Sequence, residues 1–225
     1  MQRVESEARR TRPPTPDVAD TPEHARSAAA AFRAHVRSTA LKWTLSECVL
    51  PVTVDAFFGH FLADGCGFPL VEYHKRQGDL DIAATPWQAS DHAGEHDREV
   101  RFRRILGGIG RPPSARTTKV QRCRAFGRHG LVLHGVYSME DIPYRDCFTI
   151  QDRWVVEPAD DRGASIKIRF ELDIKWSKST IFKRKIESSS KSDLEDFYKG
   201  YAKDTAQFLK TAGREPKETA KAAAP

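Results

Sequence analysis

The sequence predicts an α+β domain in which one curved antiparallel sheet wraps around a long carboxy-terminal helix. Ile166, Ile168, Phe170, Leu172, Ile174 and Trp176 occupy every second position, with Lys167, Arg169, Glu171, Asp173 and Lys175 between them, so one face of this strand is dry and the other wet. At ~3.3 Å per residue, residues 165–176 extend roughly 40 Å, longer than a usual strand and suited to strong curvature. Residues 188–211 then gather Leu194, Phe197, Tyr198, Tyr201, Thr205, Phe208 and Leu209 on one helical face, with Asp196, Lys199, Lys203, Gln207 and Lys210 on the other. That helix spans about 36 Å at ~1.5 Å per residue and matches the strand before it. Finally, strands follow one another with short connections, which gives an antiparallel meander and no βαβ alternation.

Taken in order, residues 1–22 hold Pro13, Pro14, Pro16 and Pro22 among charges and read as an unstructured leader. The segment EHARSAAAAFRAHVR follows as a short amphipathic helix. Leu41, Trp43, Leu45 and Val49 alternate into a strand that Pro51 ends. TVDAFFGHFLADG reads as a helix capped by Thr53, burying Val54, Phe57, Phe58, Phe61 and Leu62 and closed by Gly65. A Gly/Pro loop, a mixed segment to Trp87 and a polar tip at DHAGEHD precede the strands EVRFRRIL, TTKVQRCRAF, GLVLHGVYSM and DCFTIQDRWVVE. The long helix is placed to start near Ser188, with Ser192 three residues before Glu195, and to stop by Gly213 and Pro216. The expected division is a leader at 1–22, one domain at 23–212 and an unstructured tail at 213–225.

The 225 residues suffice for one domain with a real core. No run approaches the ~18 apolar residues that span a bilayer, and Glu5 and Glu7 break any secretory signal, so the expected location is cytoplasmic and peripheral at membranes. Cys48, Cys66, Cys123 and Cys147 lack the spacing of a zinc site, and neither a metal nor a cofactor is expected. The charge of +6 favours acidic partners. It is concentrated in residues 101–128, which hold Arg101, Arg103, Arg104, Arg111, Arg116, Lys119, Arg122, Arg124 and Arg128 without a carboxylate, and in a second cluster at Lys178, Lys183, Arg184 and Lys185.

Several ordered blocks resemble the VASt domain, the StAR-related lipid-transfer module of the Aster and Lam sterol transporters. These blocks are YHKRQGDLDIAATPW, ILGGIGRPPSARTTKVQ, DIPYRDCFTIQDRWVV and FELDIKWSKSTIFKRKIE; the signature around Pro143 and Tyr144 is the most specific. The resemblance covers roughly residues 41–209. It implies a StAR-like helix-grip cup that holds one sterol between sheet and last helix under a loop, and non-vesicular sterol exchange, as at membrane contact sites. Longer family members carry a PH-like GRAM domain before this module and a membrane span after it; neither pattern occurs in the residues given, which leaves tethering open.

The expected ligand is a sterol or another lipid, in an apolar pocket with one or two polar groups for its hydroxyl. Its expected contacts are Phe148, Ile150, Phe170, Leu172, Ile174, Phe197, Tyr201 and Phe208, with a lid at residues 64–70 built on Gly65, Gly67 and Phe68. Gly200 is placed on the polar helix face. Arg101, Arg103 and Arg122 are the expected contacts to an anionic membrane surface. Nucleic acid is not expected, because only Phe102 and Phe126 interleave the basic run. The protein is expected to be a monomer and no enzyme. No catalytic residue is nominated: His92 and His96 sit in a polar loop, no G-x-S-x-G is present, and His134 and Asp152 read as satisfied polar groups. The competing readings are a cup-fold enzyme acting on a hydrophobic substrate and a basic nucleic-acid or protein-binding module.

Overall fold

A computed structural model describes residues 22–106 and 113–212. Residues 1–21 of the expected leader, the expected tail at 213–225 and residues 107–112 lie outside the described residues.

The helix α1 (Pro22–Ser38) is followed by strand β1 (Trp43–Leu50), the short helix α2 (Val54–Phe57) continuing into a π-helical turn (Phe58–Leu62), and helix α3 (Leu70–Arg76). Strands β2 (Leu80–Ala84), β3 (Gln88–Ala89), β4 (Glu95–Ile105), β5 (Ser114–Ala125), β6 (Leu131–Glu140), β7 (Phe148–Pro158) and β8 (Ile166–Trp176) come next, and α4 (Lys183–Ala212) ends the described chain. The sheet runs β1-β8-β7-β6-β5-β4-β2, with β3 also pairing β4, and every pairing is antiparallel. This is the open antiparallel sheet with one long helix of an α+β helix-grip fold.

Alternation decides the two faces. Ile166, Ile168, Phe170 and Leu172 are at most 1 % exposed on the inner face, across from Val156, Trp154 and Asp152 of β7. Leu194, Tyr198, Tyr201 and Thr205 of α4 are buried with them. The outer face carries a smaller cluster, in which Phe32 and Val36 of α1 cover Phe126, Val132 and Val155. Arg153 fixes that helix from below: its guanidinium donates to the Val36 carbonyl (2.7 Å) and the Thr39 hydroxyl (2.6 Å) and pairs with Glu171, which also accepts the Leu41 N–H (3.1 Å). The Arg-Trp pair of the sequence signature thus divides its labour, Arg153 holding α1 outside and Trp154 filling the core.

Three features depart from the expectations. A bulge between Thr44 and Ser46 advances β1 by one position, so Cys48 and Leu50 pair on the inner side with Ile168 and Ile166, and Val49 turns outward, 61 % exposed. One extra residue reverses every later side chain of a strand. The helix α4 starts at Lys183, before the expected Ser188, and measures 30 residues, about 45 Å at 1.5 Å each. Good helix formers fill residues 183–187, and Thr180 opens the turn through its hydroxyl to the Phe182 N–H (3.3 Å). Gly200 does not lie on a solvated face: a Cβ there would stand 2.4 Å from the hydroxyl of Tyr73, which donates to the Phe197 carbonyl (2.7 Å). The bare glycine lets α3 dock against α4.

Candidate functional site

The inner face and α4 enclose a largely aromatic interior. Phe170 stacks on Tyr198 with centroids 4.6 Å apart, and Trp154 meets Phe170, Tyr198 and Tyr201 at 5.2, 5.6 and 5.0 Å. The expected ligand contacts Ile150, Phe170, Leu172, Ile174, Phe197 and Tyr201 are buried here, while Phe148 and Phe208 are partly buried against the same core. They divide into two ends. Phe148, Ile150 and Ile174 gather where β7 and β8 begin and end, Phe148 lying 5.4 Å from Trp176. Phe208 packs at the far end on Phe61 and Phe68, each 5.5 Å away. Phe197 leans out of the sheet-facing set onto Tyr73 (4.9 Å) and His74 (5.1 Å) of α3.

The sheet opens at the first of these ends. Pairing of β6 with β7 stops at Tyr137 and Ile150, although β6 continues beside β5 to Glu140 and β7 starts beside β8 at Phe148. The two strands splay around a groove of about 530 Å³ lined by Tyr137, Met139, Ile142, Phe148 and Ile150 among others. On the inner side Tyr137, Met139 and Ile150 also line a smaller cavity of about 80 Å³ against Ser190, Asp193 and Leu194 of α4. The groove is flanked by the β6–β7 and β8–α4 connections, which the Ser177 hydroxyl ties together through the Asp146 carbonyl (2.8 Å). Asp141 and Tyr144, both in the sequence signature, have φ of +64° and +63°, a region that non-glycine residues rarely occupy. Beyond the groove stand Tyr144, Ile181 and Phe182, exposed by 42, 93 and 38 %. Lys183, Arg184 and Lys185 follow, all exposed and, among the described residues, in no ion pair.

Just inside the groove is a polar constellation that the sequence reading did not nominate. The Lys119 ammonium, 3 % exposed, lies 2.6 Å from Asp152, 1 % exposed. The same carboxylate oxygen accepts the hydroxyls of Tyr137 (2.9 Å) and Tyr198, which are 3.2 Å from each other. Burial lowers the Lys119 pKa against the pull of Asp152, and raises that of Tyr137 well above its usual value. Gly135 makes the pair possible, since a Cβ there would stand 2.0 Å from the Asp152 Oδ1 and 2.4 Å from the Lys119 Cε. The available signal was alternation: Lys119 shares the inward phase of Thr117 and Cys123, and Asp152 that of Ile150 and Trp154. His134, by contrast, faces outward, opposite Arg153.

The expected lid is folded in. Gly65 takes φ of +67°, and Phe68 is only 3 % exposed, ringed by Phe61, Phe208 and Tyr201 with the Arg76 guanidinium 4.8 Å above it. A Cβ on Gly67 would come 3.2 Å from Phe208. Behind this loop, Arg98 donates to the Leu62 carbonyl (3.0 Å) and to Gln121 (2.7 Å) and stacks 4.3 Å over Trp87, whose indole N–H also meets the Leu62 carbonyl (2.7 Å).

Arg101, Arg103 and Arg122 are not brought together at the opening. They lie on the outer face of β4 and β5, where carboxylates outside the stretch meet them: Glu99, two residues earlier on β4, for Arg101, Asp81 at 2.8 Å for Arg103, and Asp97, held by two bonds of 2.8 Å, for Arg122. The stretch that carries no carboxylate in sequence is thus a ladder of ion pairs in space, with Arg116 on Asp141 (2.8 Å) and Arg104 on the buried Asp79 (2.7 Å). His96 and Asp97, expected in a loop tip, belong to β4, and His92 stays in the turn before it.

Comparison with known proteins agrees with this architecture. The family model described as VAD1 Analog of StAR-related lipid transfer domain, VASt, matches residues 44–193. The Arabidopsis thaliana protein Vascular Associated Death 1, chloroplastic, is 25 % identical over 175 residues, which is 77 % of this chain and 29 % of that relative. The chain therefore spans less than a third of the length of that relative.

Proposed function

Because the chain belongs to the VASt family of lipid-binding domains, we propose that it takes up a sterol or similar lipid between its sheet and α4 and exchanges it between membranes without vesicles. The observation that carries this reading is the opening between β6 and β7, a groove whose apolar residues Tyr137, Met139, Ile142, Phe148 and Ile150 stand beside Glu140, Arg145 and Asp146, and which shares Tyr137, Met139 and Ile150 with the cavity against α4. Tyr144, Ile181 and Phe182 are suited to enter the headgroup layer beside Lys183, Arg184 and Lys185, each such cation gaining on the order of 1 kcal/mol near an anionic surface. Docking at this tip places the opening against the bilayer, so cargo passes with little contact with water. Among the described residues no helix is long and apolar enough to cross a membrane.

The test is stoichiometric binding of a fluorescent sterol and its transfer between liposomes with and without anionic lipid. Transfer should be faster to anionic liposomes and fade with salt, because exposed charges are screened beyond about 10 Å near 0.1 M. Ile181→Asp with Phe182→Asp should slow transfer while leaving binding in solution unchanged. Arg101→Glu, on the outer face, should alter transfer less. Binding of a small polar metabolite in place of every lipid offered would refute the carrier reading, and indifference to both liposome charge and the tip variant would refute the docking surface.

A further inference from the structure

Three side chains of different elements lie behind the loop of residues 64–70 and leave polar atoms without a protein partner. Arg98 of β4 and Gln121 of β5 are opposite one another on the inner face, and Tyr201 of α4, packed on Phe68 and Trp154, lies within electrostatic reach of Arg98. The Arg98 Nη2, the Gln121 Nε2 and the Tyr201 hydroxyl are each shielded from water and make no hydrogen bond within the protein. Gln121 and Tyr201 are 0 % exposed. Such atoms are uncommon in folded interiors, because a buried donor without an acceptor loses its hydration and recovers nothing.

The chemistry of this group is one-sided. Arg98 and Gln121 present N–H donors only, Tyr201 can donate as well, and the one acceptor on Gln121 is already taken by Arg98. Among the described residues Arg98 is in no ion pair, unlike Lys119 and Arg104 on the same face. The thiols and the phenol around it are held neutral: burial pushes the Cys123 thiol up to about 12 and raises the pKa values of Cys66 and Tyr201 also. Asp64, the carboxylate whose field reaches it, accepts the Trp87 N–H. Among the described residues, therefore, this inner-face guanidinium has no ion-pair partner; it also binds the Leu62 carbonyl, just before the loop.

We infer that Arg98, Gln121 and Tyr201 form the receptor for the polar end of the cargo, and that this end is a carboxylate. A carboxylate offers two oxygens and about four lone pairs, enough for all three free donors, and neutralises the guanidinium. A hydroxyl accepts at most two bonds and carries no charge. The inference rests on the carrier reading above and narrows its ligand to an acidic amphiphile, a fatty acid or a sterol bearing an acid at its polar end, with the apolar body among the rings of the cup. The loop of residues 64–70 acts as the cover of this receptor.

The experiment compares matched pairs on the full chain by calorimetry or competition at pH 7: oleic acid against oleyl alcohol, and cholesteryl hemisuccinate against cholesterol. The wild type should prefer the acid at least tenfold in each pair that binds, about 1.4 kcal/mol. Arg98→Gln, checked for folding by circular dichroism, should bring acid and alcohol to within about threefold of one another, while Arg98→Lys keeps part of the preference. Tyr201→Phe, which deletes one hydroxyl and no charge, should reduce the preference partially and gives a reading if the Arg98 variants do not fold. Equal binding of acid and alcohol by the wild type, or a preference that survives Arg98→Gln, overturns the receptor and leaves the carrier reading intact. Failure of all four probes, with the wild type folded, overturns both.

Discussion

Replacing Lys119 by Met removes the single cation from a buried cluster and keeps most of the side-chain volume. Asp152, 1 % exposed, would then retain only the hydroxyls of Tyr137 and Tyr198 against its charge. Breaking a buried pair by deleting one partner costs about 3–5 kcal/mol, since the remaining charge has neither water nor counterion. For a chain of this size each kcal/mol corresponds to ~2–4 °C in melting temperature, so a fall of roughly 6–20 °C is expected. Adding Asp152→Asn removes the stranded charge yet keeps an acceptor for the two tyrosines, and should recover more than half of the loss. Urea unfolding at pH 7, followed by circular dichroism and by tryptophan fluorescence, measures both steps. A Lys119→Met variant within about 1 kcal/mol of wild type, or a double variant no more stable than the single, would refute the reasoning that this pair is a matched buried unit.

Gly200→Ala should destabilise the protein although alanine is the better helix former by about 1 kcal/mol, because its Cβ meets the Tyr73 hydroxyl at 2.4 Å; Tyr73→Phe in the same chain should restore part of the stability, and thermal melts of the three variants decide it. Gly135→Ala should lower stability by several kcal/mol by displacing the Asp152–Lys119 pair, and a crystal structure that keeps the 2.6 Å contact would contradict this. His35, His74 and His134 all have pKa values lowered first by burial, so each is neutral when folded and takes its proton more readily when unfolded. Stability should accordingly fall as pH drops below about 6.5 until each folded pKa is reached, and urea midpoints that stay level between pH 7.5 and 5.5 would disprove it.

Much of the frame was legible because local periodicity reports burial directly. The unbroken alternation of β8 and the apolar stripe of α4 identified both walls of the interior, and Thr53 was readable as a cap, its hydroxyl accepting the Ala56 N–H at 3.2 Å. The buried ligand-contact candidates share that interior for the same reason: residues of one phase on a strand, or one stripe on a helix, must face the same side. Where one added residue changes phase, as at the bulge of β1, the pattern misleads, and Val49 turned out exposed. The start of α4 was misplaced because a Ser-x-x-Glu spacing at Ser192 also occurs inside a helix that earlier residues had already begun.

By itself, then, the amino-acid order determined the fold class, the long strands and the terminal helix, and most of the residues that are dry, since these depend on neighbours within a few positions. Only the tertiary structure decided which charges meet. Arg122 finds Asp97 across 25 positions, Lys119 finds Asp152 across 33, and Arg98 finds no carboxylate within ion-pairing distance among the described residues. A charge's effect is set by the groups within a few ångströms and by the water it has lost, and strand register brings such groups together from distant parts of the chain. The basic stretch therefore became a paired outer ladder, and the polar interior of the cup appeared where the sequence showed only alternating strands.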